Sequence, residues 1–398
     1  MPNPLPWKSR IAQRVRDVQS GQEGSIFLHM LAISRNVPDL ISLGRGDPDL
    51  PTPLHVIEAA QQALVAGKTK YTSPAGLEEL RLAIARKLHL DNGLTYDPER
   101  EIVVTAGVQE AISVIFQVLL DPDDEVLLPD PYYMAHRQAI NAAGGKAVML
   151  RTRLEDNFVI QPEVVNTTIT PQTKAIILTS PSNPTGAVIG RETAEAICQI
   201  ARERNLIVIS DELYEKLVFD GAQVTSIAGL PGMWERTITV NGVSKAYNMT
   251  GMRVGYLAAP AEFAEAALEL HHLMTICAPT VSQWAAVAAL NGPQDCVQET
   301  LASYIERRQV MLHYLAEYGI PSNRPQGAFF VFVDIRATGF SSLEFCEKLL
   351  QEAQVQIFPG TQYGEGGEGF VRMSFLAPVE ELKESLDRFG RFYQLHSR

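Results

Sequence analysis

A chain of 398 residues, 46% apolar and 20% charged, exceeds what one compact core usually serves and has no composition bias toward disorder. Its net charge of -12, with no Lys/Arg cluster, excludes nucleic acid as a partner. The start lacks an apolar signal core, and the longest apolar stretch, 111–120, is too short to cross a bilayer, so no membrane role and a cytoplasmic location are expected. Cys198, Cys277, Cys296 and Cys346 lie far apart without a CxxC pair, which fits reduced thiols and neither a metal site nor a disulfide framework.

Residues 1–50 read as irregular, rich in Pro, Gly and Arg, and are expected to pack on a smaller layer or a neighbouring chain. A helix follows, with Thr52 at the N-cap, Pro53 at the first helical position and Gly67 just past the end. From about residue 100, short β-rich runs alternate with helical patterns. The strands are predicted at 101–107, 125–130, 147–151, 175–180, 206–210, 237–241 and 254–259, with helices over 108–120, 133–143 and 191–203. Runs apolar on both faces and separated by helices imply a largely parallel, covered sheet. A long helix over 294–318 is predicted next. Strand 328–335, helix 341–352, strands 355–358 and 370–375 and a final helix follow as a second, smaller α/β layer. The predicted organisation is therefore an N-terminal segment (1–50), a large unit (51–292) and a small unit (293–398).

No GxGxxG follows a strand, and GxxxxGK[ST], HExxH and GxSxG are absent, which removes support for dinucleotide, P-loop, zincin and serine-hydrolase chemistry. Four segments instead end strands where open α/β sheets bind ligands: TAGVQEA (105–111), SPSNPTG (180–186), SDELYE (210–215) and NGVSKAYNMTGMRVGY (241–256). With RGDPDLPTP (45–53), KYTSPAG (70–76), PDPYYMAH (129–136) and GEGFVRMSF (367–375), they span nearly the whole chain in one order. That ordered set resembles the class I/II, fold type I aminotransferases of the aspartate aminotransferase superfamily, which use pyridoxal 5'-phosphate.

The resemblance implies a large domain built on a mostly parallel seven-stranded sheet, a smaller α/β domain, and an imine between the cofactor and Lys245. Such a lysine must be desolvated and ringed by cations to be nucleophilic near neutral pH, and the buried-looking strands around it and Arg253 suit that better than a surface lysine. Asp211 would pair with the pyridine nitrogen, or cap a helix, or both. Tyr214 and Asn183 would reach the ring's phenolate oxygen. Gly107, Val108 and Gln109 open a helix whose amides and dipole suit a phosphate, joined by Ser244 and Arg253. Tyr133 matches the aromatic that stacks on the ring, and His136 would support Asp211; a core tyrosine and a structural histidine are the plain alternatives. Arg372 would hold the substrate α-carboxylate, with Gly46 admitting a close backbone amide. Tyr71 matches a tyrosine that crosses to a neighbour's phosphate, which implies a homodimer with shared sites.

The expected reaction is amino transfer from an L-amino acid to a 2-oxo acid by ping-pong kinetics, with Lys245 as the general base. A C–S β-lyase or ring closure of an S-adenosyl substrate would use the same residues. A cofactor-sensing regulator would need an added basic DNA-binding domain, and a structural protein would not need this residue set. Gln109 stands where some relatives carry a lysine that reads acidic side chains, and the sequence offers no evident second cation for a distal carboxylate. Ile26 or Phe27 in segment 24–29 would favour apolar or aromatic substrates.

Overall fold

The structure, a computed structural model, describes residues 10–12, 15–16 and 22–397. Twelve strands are numbered in chain order: β1 (Ile41–Ser42), β2 (Ile102–Thr105), β3 (Glu125–Asp130), β4 (Lys146–Arg151), β5 (Thr173–Thr179), β6 (Ile207–Asp211), β7 (Thr237–Gly242), β8 (Gly255–Ala258), β9 (Phe330–Asp334), β10 (Val355–Gln356), β11 (Phe358–Pro359) and β12 (Phe370–Ser374). Seven of them form one sheet in the order β2-β8-β7-β6-β5-β3-β4. All neighbours are parallel except β8, which runs antiparallel to both β2 and β7.

Alternation along β5 explains why its run reads as apolar throughout. Ala175 and Ile177 pack toward helices Val108–Leu119, Met134–Ala142 and Ala261–Thr275, while Ile176 and Leu178 pack toward Pro162–Thr168 and Arg191–Glu203. Both faces are therefore covered. Each fully buried aliphatic side chain contributes about 1.5–3 kcal/mol relative to exposure.

A second core surrounds the three-stranded antiparallel sheet β11-β12-β9 and includes Phe345, Leu349, Phe389 and Tyr393 from helices Ser342–Ala353 and Val379–His396. Helix Asp295–Glu317 joins two cores: Val297 packs with Val56 and Ala289, whereas Tyr304 and Met311 pack around the three-stranded sheet.

Three sequence expectations need correction. The predicted irregular stretch 1–50 contains helix Gln22–Ser34, whose Ile26 and Met30 enter the second core. The predicted strand 355–358 is two strands: Gln356 pairs with Ser42 in β1, whereas Phe358 pairs with Arg372 in β12, so the chain changes sheets at buried Ile357. Thr52 does not cap its helix. Its Oγ1 donates to the Asn248 carbonyl at 2.7 Å, and the helix begins at Leu54 with Pro53 at the cap. The other end is as expected: Gly67 (φ 69°) closes a Schellman turn, with Gly67 N–H on Leu64 O and Lys68 N–H on Ala63 O.

Candidate active site

The carboxyl ends of β2, β5, β6 and β7 converge on one cavity of about 650 Å³, roofed by segment 42–47 and by β11 and β12. At its first corner, β2 passes through Gly107 (φ 87°) into helix Val108–Leu119. Glu110 reaches back to accept from Ala106 N–H at 2.5 Å, and its other oxygen meets His271 Nδ1 at 2.8 Å and Thr275 Oγ1 at 3.0 Å. Burial pushes the Glu110 carboxyl up, but these donors outweigh it and hold the group below its ordinary range. The Val108 and Gln109 amides are left without an acceptor among the described residues. Arg253, itself in the left-handed region (φ 55°), donates to Thr250 O at 3.0 Å, and a Cβ at Gly107 would fall 2.5 Å from its Nη2. Free amides, a helix N-terminus and a guanidinium thus share one anion-sized corner.

Gly255 on β8 makes that corner possible. A Cβ there would lie 2.5 Å from Val108 N and 2.6 Å from Gly107 C, both backbone atoms that cannot rotate away. Gly255→Ala is expected to cost about 1–3 kcal/mol of stability by overpacking and to weaken anion binding at the Val108–Gln109 amides. A melting scan with and without inorganic phosphate checks both.

The second corner carries Asp211 at the end of β6. Its Oδ2 lies 3.3 Å from His136 Nε2, and its Oδ1 accepts from Leu213 N–H at 3.2 Å. The carboxylate shapes a turn rather than a helix cap. Tyr133 meets His136 edge-on at 5.5 Å, and Tyr214 meets Phe329 edge-on at 5.4 Å. Burial pushes the hydroxyls of Tyr133 and Tyr214 up, so both stay protonated donors.

Between the corners stands Lys245. Its Nζ donates to Gly46 O at 2.7 Å and lies 5.6 Å over the Phe329 ring. Desolvation lowers its pKa to about 8. Asp47 opposes that shift, and Arg372 and Arg253 reinforce it. Arg372 is buried, with Nη1 on Asn183 Oδ1 at 3.1 Å, Nη2 on Gly44 O at 2.7 Å and its Cζ 4.2 Å over the Phe330 ring. Its Nε is a buried donor with no partner among the described residues.

The residues singled out in the sequence line this cavity except Gly107, which backs Arg253, Ile26, which is buried in the second core while Phe27 lines the cavity, and Tyr71, which is 77% exposed and away from it. Gly46 differs from expectation in what it presents, since its carbonyl faces Lys245. A Cβ there would meet only Phe330 at 3.8 Å, an ordinary contact, so protein packing does not require the glycine.

The family model for aminotransferase class I and II matches residues 38–389. The chain belongs to the class I and II aminotransferases. It is 40% identical to aromatic-amino-acid aminotransferase 2 of Thermococcus litoralis, over 90% of this chain and 93% of that one. It is 42% identical to an aspartate aminotransferase of Pyrococcus abyssi over the same shares, 90% and 93%. The solved aspartate aminotransferase of Thermus thermophilus with maleate superposes with a TM-score of 0.90 at 38% identity, covering 96% of this chain and 99% of that one. This protein is thus an aminotransferase.

Several lining residues of the aminotransferase escaped the sequence reading. Asp47 and Thr250, joined by a 2.5 Å hydrogen bond, lay inside motifs already quoted, where their polar side chains were the available signal. Gln356, Gln362 and Tyr363 had none, because the sheet switch at Ile357 and the loop after it bring them in. Among the described residues no helix is long and apolar enough to cross a membrane, and no cluster would hold a metal ion.

Proposed function

We propose that this aminotransferase binds pyridoxal 5'-phosphate covalently through Lys245 and exchanges the amino group of an L-amino acid with a 2-oxo acid by a ping-pong cycle. The observation that carries this is the desolvated Lys245 amine, lowered to about 8, in the same cavity as unpaired helix amides. The residues fit the cofactor. Two free amides, Ser244 and the Gly107–Arg253 pair suit its phosphate, a carboxylate backed by His136 suits its ring nitrogen, and two protonated tyrosines flank the space between.

Bound there, the cofactor supplies a sink for the electrons of the substrate's Cα–H bond. Asp211 would hold the ring nitrogen's proton, with His136 fixing the carboxylate. Asn183 and Tyr214 would donate to the ring oxygen, and Tyr133 would cover the ring. Arg372 takes the substrate α-carboxylate on its fork, exchanging part of its bonding to Asn183 and Gly44. Gly46 offers backbone to the same group. Lys245 Nζ would accept the proton lost from the substrate Cα and release it to a different carbon, on the cofactor side, which is why its lowered affinity matters.

We infer a homodimer in which Tyr71 completes a neighbour's phosphate site, a reading supported by its exposure and by exposed Val65 and Leu273. We place the enzyme in the cytoplasm, consistent with four unpaired thiols. We divide the chain into an N-terminal segment (1–50) that packs with a small unit (293–398), and a large cofactor-binding unit (51–292). The entry of Ile26, Met30 and Leu43 into the second core supports the first grouping.

Borohydride reduction of the holoenzyme followed by peptide mapping tests the cofactor, with the label expected on Lys245. Capture of the aldehyde by apoenzyme should speed about tenfold per pH unit below about 8 and level off above it, as the amine loses its proton. Amino donors should turn over only with a 2-oxo acid present. Release of pyruvate and ammonia from cysteine conjugates without one would point to β-elimination instead.

A further inference from the structure

The motif at 129–136 supplies Tyr133 and His136 to the site, whereas its acidic residue, Asp130, is not among the residues lining the cavity. Asp130 closes β3 and is fully buried. Its two carboxylate oxygens accept from Gly366 N–H at 3.1 and 3.0 Å, and Oδ2 pairs with Arg151 Nη1 at 3.1 Å. Arg151 also reaches Glu365 Oε2 at 3.1 Å. The approach leaves no room for side chains. A Cβ on Gly366 would fall 2.7 Å from Asp130 Oδ1, and one on Gly364 would strike the same oxygen. One carboxylate at the edge of the large sheet thus holds loop 360–367 by its backbone.

A second tie lies two residues further along the motif, where Tyr132 N–H donates to Tyr363 O at 2.8 Å. These two bonds, at Tyr363 and three residues later, fix the part of the loop that brings Gln362 and Tyr363 to the cavity. Tyr363 is buried, its ring centroid lies 4.6 Å from Arg372 Cζ, and its hydroxyl has no partner among the described residues. The guanidinium has ring contacts with both Phe330 and Tyr363, so the placement of Tyr363 bears on where the Arg372 fork points.

The charge on Asp130 is costly and compensated. Burial pushes its carboxyl up to about 6, and Glu365 adds to this. Arg151, the Gly366 amide and Arg137 on helix Met134–Ala142 oppose it. When the carboxyl takes a proton, one oxygen becomes a donor. It then faces an N–H that it no longer serves and a guanidinium that it no longer neutralises.

We propose that Asp130 is a positioning residue for the substrate α-carboxylate: its charged form fixes loop 360–367, which sets the Tyr363 ring against Arg372. This rests on the placement of that carboxylate at Arg372 above, and extends it to a residue outside the cavity. Because the tie depends on charge, it is intact above about pH 6 and loosens below.

The test measures binding of 2-oxopentanoate to the holoenzyme by calorimetry, since this acid stays ionised throughout and has no amino group to transfer. In Asp130→Asn an oxygen still accepts from Gly366 N–H, but the charge is gone. At about pH 8 the variant should bind about fivefold more weakly than wild type. As pH falls below about 6 the gap should close, because wild-type Asp130 then loses its charge too. In turnover at about pH 8, KM for the amino donor should rise while kcat stays within about twofold. Gly366→Ala, which displaces the loop sterically, should weaken binding at every pH.

A gap that persists unchanged in acid makes Asp130 a structural residue, and no gap in the alkaline range removes it from carboxylate binding. Either result overturns the proposal, as does full binding by Gly366→Ala. Inorganic phosphate should bind the apoenzyme forms of wild type and Asp130→Asn alike; a loss there would be a general defect of the fold and overturns it too. The reading it rests on fails separately, by undiminished binding in Arg372→Gln or by wild-type turnover that needs no 2-oxo acid.

Discussion

Alanine at position 245 is expected to reduce turnover by at least about 10⁴-fold, the upper range for removing a positioned general base that also holds the reacting group. The fold should survive, because the side chain leaves only one hydrogen bond, to the Gly46 carbonyl, which water can take over. The pH dependence of stability gives a second readout. Lys245 in the folded state has its pKa lowered from 10.5 to about 8, so between those values the unfolded chain binds more protons than the native one. The stability of wild type relative to Lys245→Ala should therefore rise as pH climbs from about 8 to 10.5, with the penalty of burying the charged amine fully present below 8. Denaturation of both proteins across that window, beside single-turnover kinetics, checks the assignment. Substantial transamination by the variant would remove Lys245 from the mechanism.

The second large effect belongs to Asp211. Asp211→Asn keeps an oxygen able to accept from Leu213 N–H, so the turn after β6 should persist while the charge is lost. A fixed charge placed where the reaction develops its own is typically worth 10²–10³-fold in rate, and about that loss in kcat is expected. His136→Asn should cost less, since His136 acts only by orienting the carboxylate across 3.3 Å. Absorbance titration of the holoenzyme separates the two. Asp211→Asn should change the protonation of the bound ring, whereas His136→Asn should shift it only modestly. Unaltered kinetics in Asp211→Asn would make the residue a turn-former and nothing more.

Much of this was legible in the sequence because the large sheet announces itself locally. Runs such as AIILT and LIVIS are β-branched and apolar on both faces, and each ends at a polar residue that the parallel topology delivers to the same edge. The segments carrying Asp211, Asn183, Ser244 and Lys245 were therefore placed at one edge by the strands before them, while the role of each residue was what the resemblance of the ordered motifs implied. Helices Glu78–Asn92, Ala261–Thr275 and Thr280–Asn291 were not named, though the first has two glutamates in its opening turn and Gly93 in the left-handed region at its close. The segment before residue 50 misled through its Pro and Gly content, although Ile26 and Met30 occupy helical spacing toward a core. Position 45 opened a quoted motif, but its side chain was given no role there. An arginine between two glycines looks like a loop until the carbonyls beside it are found on Lys245 and Arg372.

The bond from Arg372 to the Gly44 carbonyl joins residues 328 positions apart, and β1 pairs with β10 across nearly the same separation. A nascent chain emerging from the ribosome can assemble the large sheet early, yet it lacks a complete carboxylate receptor until its last strand has been synthesised. Competence therefore arrives late in biogenesis, through contacts whose loop closure is among the slowest steps available to the polypeptide.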